Sequence, residues 1–369
     1  MILKGFILDT LTPIHKHAAS GDSLNTRAYA ALDLDGNLVL TGPTDGEAYY
    51  NAAVSTIVRS GGKARELDAI LPGIIDEGQT GRAFFDRLQE KLSHLRLDWD
   101  YFVQTGRENF FKTADQIPVR DITAEILSHL RNADRIFNDC PPVPLCIVTG
   151  GMDYKIRPIL KKLMAAYNNI AGNGNGLTGI NENEIVGPGK LIEFVICSNG
   201  VFHDLRSEDF TTLSPAPYGF EFFENMRDLP VEADSKPAPF PYLLADRLMR
   251  ERMDISQEQA CIGFPFEDSL TGLQSAVKAS EMMDENSRLM ADLRPVFRPL
   301  KSVSSDLAGR AEMTISPEWS APEQMKATLN LIRIMATDPA GLKIHDHRVP
   351  EQNTSLNFIS EPGFNPDKS

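Results

Sequence analysis

Short apolar runs that alternate with helical patterns constrain this chain most. The runs lie at residues 28–32, 144–148, 194–197 and 260–264, and each has the length and composition of a buried strand. Between them stand segments with helical spacing, such as YKIRPILKKLM at 154–164 and the stretch 241–249. That alternation predicts an α/β fold, a doubly wound parallel sheet with right-handed crossovers. In such sheets ligands bind beyond the carboxyl ends of the strands, so residues just after the runs are where chemistry is expected.

With 369 residues, 42% of them hydrophobic, the chain can bury a large core and is expected to hold more than one domain. From residue 44 to about 120 it changes character: segments such as EAYYNAAVSTIV and GRAFFDRLQEKLSHL are helical in pattern, with no convincing strand. This reads as an inserted helical cap, residues 44–120. The core then comprises residues 27–43 and 121–335, preceded by an extension over 1–26 and followed by a tail over 336–369. Within the core, the Gly/Asn-rich stretch 171–189 and the Pro-rich stretch 214–234 read as loops or as an elaborated insertion at about 170–234. A last strand at 313–315 and a helix in PEQMKATLNLIRIM complete the expected elements.

A formal net charge of -14 argues against a general nucleic-acid or membrane-surface binder, which would carry a basic patch. The N-terminal MILKGFILDTLTPIHKHAA has its apolar stretch broken by Lys4 and Asp9, and no run has transmembrane length, so the cytoplasm is the expected location. Cys140, Cys146, Cys197 and Cys261 have no C-x-x-C spacing, and buried free thiols are expected rather than a zinc site or disulfides.

Two downstream stretches combine a lysine with an acidic pair: SKPAPFPYLLADRL, with Lys236, and CIGFPFEDSLTGLQSA, with Glu267 and Asp268. Both sit where a loop enters a helix, and free N–H groups and the helix dipole favour anions there. A phosphate and a divalent cation suit that set. Upstream, AYAALDLDGNLV ends an apolar run in Asp33 and Asp35, with Gly36 allowing a sharp exit. A carboxylate at a strand end can attack phosphorus without prior deprotonation, and a second one two residues on can serve as general acid and then base. An Asp-Gly hairpin turn is the plain alternative. In PLCIVTGG, Thr149 and Gly150 follow a strand and precede a helix bearing Lys155 and Arg157, so the hydroxyl and following amides can bind a phosphoryl group. Ser198 in EFVICSNG is a rival for Thr149, and Asp9 in FILDTLTPI is a rival for Asp33 that lacks a second aspartate and a glycine.

Taken in order, these four stretches resemble motifs I to IV of the haloacid dehalogenase superfamily, in the branch with beta-phosphoglucomutase and many small-metabolite phosphatases. The resemblance implies a Mg2+-dependent phosphatase acting on a small phosphorylated metabolite through an aspartyl-phosphate. Asp33 would be the nucleophile, Asp35 the acid and base, and Thr149 and Lys236 the groups that stabilise phosphoryl charge. Asp33, the Asp35 main-chain carbonyl and Asp268 would hold the metal, with Glu267 as a ligand or an acceptor behind it. A Glu-Asp pair that simply caps the following helix is compatible with that role. In the cap, Gly78, Thr80 and Arg82 resemble a loop that closes over substrate, and Arg82 would meet an anionic group, although an exposed helix-start arginine is the plainer reading. Two departures stand out. Asn37 replaces the usual Thr after D-x-D-G, and the chain is longer than the branch usually is. A phosphosugar mutase on the same core, and a catalytically impaired scaffold suggested by Asn37 and the insertions, are the alternatives; a dehalogenase would need neither Asp35 nor a metal-binding acidic pair. Oligomeric state is invisible in the sequence.

Overall fold

The computed structural model describes residues 26–76, 81–136, 142–172, 178–197, 200–203, 211–212, 236–255, 259–285, 291–303 and 306–341, with a few side chains in this set excepted. Asp9, Cys140, Ser198, the stretch 214–234 and most of the tail lie outside the described residues. The centre is a nine-stranded sheet in the order β5-β4-β3-β2-β1-β6-β8-β9, with β7 also paired to β6. The strands are β1 (Arg27–Leu32), β2 (Leu145–Val148), β3 (Val195–Cys197), β4 (Gly200–Phe202), β5 (Thr211–Thr212), β6 (Cys261–Glu267), β7 (Ala291–Leu293), β8 (Val296–Phe297) and β9 (Met313–Thr314). Pairing is parallel from β3 through β2, β1 and β6 to β8 and β9, and antiparallel only where β4 and β5 extend the far edge. That edge lies in the stretch expected to be an insertion, which therefore contributes strands as well as loops.

Alternate residues of β1 enter two different cores. Ala28, Ala30 and Leu32 join one apolar cluster, and Tyr29 and Ala31 the other. Both faces of the strand are buried, which is why it reads as a continuous apolar run. One face is covered by α5 (Thr123–Arg131), α7 (Asp153–Gly172) and α10 (Ala321–Thr337) through Leu127, Ile159, Leu163 and Leu331. Helices α8 (Phe240–Arg252) and α9 (Leu270–Glu285) cover the other through Leu244, Ala276 and Ala279.

Strand β6 runs three residues beyond the expected stop at Phe264, through Pro265, although proline is rare in central strands. The pairing explains the tolerance. Pro265 is in register with Ala31 on one side, while on the other β7 pairs up to Gly263 and β8 begins at Phe266. The residue without an N–H falls in the gap between two short neighbours. The extension carries Glu267 to the end of the sheet beside Asp33.

Between β1 and β2 the chain forms α1 (Gly42–Arg59), α2 (Arg65–Asp76), α3 (Gly81–Lys91) and α4 (Trp99–Thr113). They share an apolar cluster of their own, including Ile57, Leu67, Phe84, Leu88 and Phe102. The Asp98 side chain starts α4 by accepting from the Tyr101 N–H at 3.1 Å. The excursion leaves and returns at one place: the Leu40 N–H donates to the Pro118 carbonyl at 2.9 Å, and the Arg120 N–H to the Leu38 carbonyl at 2.9 Å. A short helix, α6 (Ala133–Ile136), follows α5 before β2. Cys146, Cys197 and Cys261 are buried. No helix among the described residues is long and apolar enough to cross a membrane.

Candidate active site

Strands β1, β2 and β6 are adjacent and parallel, so their carboxyl ends meet, and Asp33, Thr149 and Glu267–Asp268 meet with them. Asp33 directly follows β1, and its N–H donates to the Phe266 carbonyl at 2.9 Å, which continues the ladder and fixes where its side chain emerges. Lys236, four residues before α8, projects its ammonium to Asp33 Oδ1 at 2.6 Å, to Glu267 Oε1 at 2.6 Å and to the Val148 carbonyl at 2.9 Å. All three side chains are nearly or wholly buried. The Tyr242 hydroxyl also donates to Glu267 Oε1. Glu267 thus anchors the lysine from behind, and Gly272 makes room for it: a Cβ there would stand 1.7 Å from Glu267 Oε2.

Asp35 lies on the turn after β1. Its Oδ1 accepts from the Thr41 hydroxyl at 2.8 Å and its Oδ2 from the Thr149 hydroxyl at 3.2 Å. The Thr149 oxygen in turn accepts from the Gly151 N–H at 3.0 Å, so this hydroxyl is engaged with Asp35 rather than pointing freely outward. Gly150, half-buried, sits between them. Gly36 takes φ +78, and a Cβ on it would meet Asp268 Oδ2 at 1.9 Å; only glycine allows both the left-handed turn and the approach of the Asp268 carboxylate.

Asp33, Glu267 and Asp268 each offer a carboxylate oxygen within 4.8 Å of the others. Crowding carboxylates away from water raises their proton affinity. Burial pushes Asp33 well above the usual carboxylate range, opposed by Lys236 and reinforced by Glu267, Asp268 and Asp35. Burial, and then the Glu267 charge, lift Asp268 to about 7. Glu267 is also raised by burial, against the pull of Lys236. For Lys236 burial works downward, but Asp33 and Glu267 overcome it and hold the ammonium firmly charged. The donors are oxygens only, they converge, and their negative charge is incompletely balanced, which suits a hard divalent cation such as Mg2+.

Several further residues complete the surroundings. Lys155 on α7 is buried and pairs with Asp45 on α1 at 2.8 Å. Its alkyl stem passes Gly151, where a Cβ would lie 3.7 Å from Lys155 Cδ. Asp45 is raised by burial, opposed by Lys155 and reinforced by Asp35. Behind the Asp35 turn, buried Arg120 and Arg298 bind main-chain carbonyls, and Asn37 donates its Nδ2 hydrogen to the Phe266 carbonyl at 2.8 Å. Cations inside the otherwise apolar stretches IPVRDI and PVFRPL are the signal that could have drawn attention to the two arginines. Arg82 belongs to the first turn of α3, and its side chain lies outside the described residues, as do Gly78 and Thr80.

No family model matches the chain, and no curated protein matches it. Among solved structures it is similar to CbbY from Rhodobacter sphaeroides, determined in complex with a xylulose bisphosphate, at 17% identity over 86% of this chain and 99% of that one, with a TM-score of 0.43. It is also similar to a family IA HAD hydrolase from Entamoeba histolytica, at 15% identity over 82% and 99% of the two chains, TM-score 0.43. A HAD phosphatase from Thermococcus onnurineus matches at 14% identity over 81% and 97%, TM-score 0.42. The chain is similar in structure, at low sequence identity, to hydrolases of the HAD family.

Proposed function

We propose that this protein is a Mg2+-dependent phosphatase that hydrolyses a small phosphorylated metabolite through an aspartyl-phosphate on Asp33. The observation that carries the reading is a nucleophile and an acid on one turn. Asp33 is held at 2.6 Å by Lys236, while Asp35, two residues on, is held by the hydroxyls of Thr41 and Thr149. In the first step an Asp33 carboxylate oxygen forms a bond to phosphorus, the ester P–O bond breaks, and the departing oxygen takes a proton from Asp35. In the second, water attacks the phosphorus and gives its proton to Asp35; the P–O bond to Asp33 breaks, releasing inorganic phosphate and restoring the carboxylate.

Lys236 offsets negative charge on the nucleophile and the phosphoryl group, and Glu267 keeps it in place. The Gly150 amide would donate to the phosphoryl oxygens, while the Thr149 hydroxyl holds Asp35 beside them. Asp33, Asp268 and the Asp35 main-chain carbonyl would hold Mg2+, with Glu267 as a further oxygen beside them; when bound, the ion neutralises phosphoryl charge. Helices α1 to α4 would act as a cap, with Arg82 facing an anionic group of the substrate. Hydrolysis of a generic aryl phosphate with Mg2+ by wild-type protein, lost in Asp33→Asn, is the test. Equal rates for the two purified proteins would sink the assignment.

A further inference from the structure

Two buried arginines behind the Asp35 turn are occupied almost entirely with main chain. Arg298 follows β8 and is wholly buried. One of its nitrogens, Nη1, donates to the Asn37 carbonyl at 2.8 Å and, longer, to Asn37 Oδ1 at 3.4 Å; the other, Nη2, donates to the Asp121 carbonyl at 2.6 Å. Arg120, at the return from the helical excursion, donates Nη1 to the Gly36 carbonyl at 2.9 Å and to the Arg298 carbonyl at 2.8 Å, and Nη2 to the Pro299 carbonyl at 3.0 Å. Asn37 closes the set by donating to the Phe266 carbonyl, which also accepts from the Asp33 N–H.

Burying a guanidinium is unfavourable unless its donors are used, and neither arginine forms a salt bridge with a carboxylate among the described residues. Their donors reach the carbonyls of Gly36 and Asn37, the two residues directly after Asp35, and tie them to segments more than eighty residues away in sequence. The planar fork of arginine is suited to holding two segments at fixed separation. The turn therefore has little freedom to move Asp35 away from the Thr149 hydroxyl or Asp33 away from Lys236. Asn37, the departure from the resembled motif, is itself part of the device, since its side chain reaches both Phe266 and Arg298.

We propose that Arg298 and Arg120, linked by the Arg120 hydrogen bond to the Arg298 carbonyl, are positioning residues that, with Asn37, set Asp35 for proton transfer to the leaving group. The inference rests on the phosphatase reading, and the experiment separates the two. Phenyl phosphate and p-nitrophenyl phosphate differ in how much the departing oxygen needs a proton: phenolate is the stronger base and needs it more. In Arg298→Met, kcat/KM for phenyl phosphate is expected to fall roughly tenfold further than for p-nitrophenyl phosphate. Arg298→Lys, which keeps the charge and one donor direction, is expected to lie between Met and wild type. An equal fall for both substrates in folded Arg298→Met, or no change in either, overturns the proposal. Asn37→Ala carries the same expectation should Arg298→Met fail to fold, with circular dichroism confirming the folded state. Wild-type protein inactive toward both esters would instead defeat the phosphatase reading.

Discussion

The ammonium of Lys236 bridges Asp33 and Glu267, 2.6 Å from an oxygen of each, with Glu267 wholly buried at the end of β6. The bridge gives Glu267 a structural part at the site, beside its place among the converging carboxylates. It fixes the lysine, and the lysine offsets the charge of Asp33. Replacing Lys236 by Met would leave buried carboxylates uncompensated, and a partner lost from a buried pair costs about 3–5 kcal/mol. Lys236→Met is expected to lower aryl phosphatase activity by roughly a hundredfold or more and to reduce stability in a denaturant titration. Glu267→Gln, which keeps shape and one acceptor, is expected to lie between this variant and wild type in both measurements.

Metal-free stability should fall as pH rises. The folded-state pKa of Asp268, about 7, lies above the ordinary carboxylate value near 4, so the folded protein binds more protons than the unfolded chain between those values. The favourable contribution is complete below the unfolded pKa and is lost as pH rises through the folded one. With a chelator present, the thermal midpoint is expected to drop from about pH 5 to about pH 8. Asp268→Asn should flatten that slope. A midpoint that climbs over the same range would contradict the crowding of carboxylates described above.

Mg2+ binding is expected to take up the same charge. Below about pH 7 it should release a proton, and affinity should strengthen as pH is raised to 8, as followed by calorimetry in buffers of different ionisation enthalpy. Asp33→Asn and Asp268→Asn should each weaken it.

The Lys155–Asp45 pair joins α7 to α1 at 2.8 Å in buried surroundings. Burial lowers the lysine's proton affinity while Tyr49 and Asp45 raise it, with a net upward effect, so the ammonium is expected to stay charged, while burial raises Asp45 against the pull of Lys155. Lys155→Met or Asp45→Asn alone is expected to destabilise by about 3–5 kcal/mol, whereas the double variant should cost much less than the sum. A double-mutant cycle by chemical denaturation measures the difference; additive losses would show that the two groups are not coupled.

The Thr149 hydroxyl donates to Asp35 and accepts from the Gly151 N–H. Thr149→Val keeps the shape and removes both bonds, leaving Gly151 an unsatisfied buried amide. About 1–3 kcal/mol of stability is expected to go with it. Activity should fall roughly tenfold to a hundredfold, more steeply for phenyl phosphate than for p-nitrophenyl phosphate.

The longer parallel strands, and the polar side chains gathered at their ends, were legible because each leaves a local trace. Asp33 and Asp35 close an apolar run, Thr149 closes another, and Asp268 precedes a helix. Strands β4, β5, β7 and β8, of two or three residues each, have no room for a periodic pattern. Pro265 disguised the end of β6, since its tolerance depends on a gap between neighbours far away in sequence. The arginine pair and the Lys155–Asp45 bridge were hidden for a related reason. Arg120 contacts Gly36 and Arg298 contacts Asn37 only through the fold, and a lone cation in an apolar stretch does not announce its partner.

The direct test of the central claim is to quench the protein with acid during incubation with an aryl phosphate and Mg2+ and locate phosphate by mass spectrometry. The account predicts a phosphoryl adduct on the peptide that carries Asp33, absent from Asp33→Asn, with turnover lost in the same variant. Turnover by Asp33→Asn at the wild-type rate, or an adduct on a different residue, would contradict it.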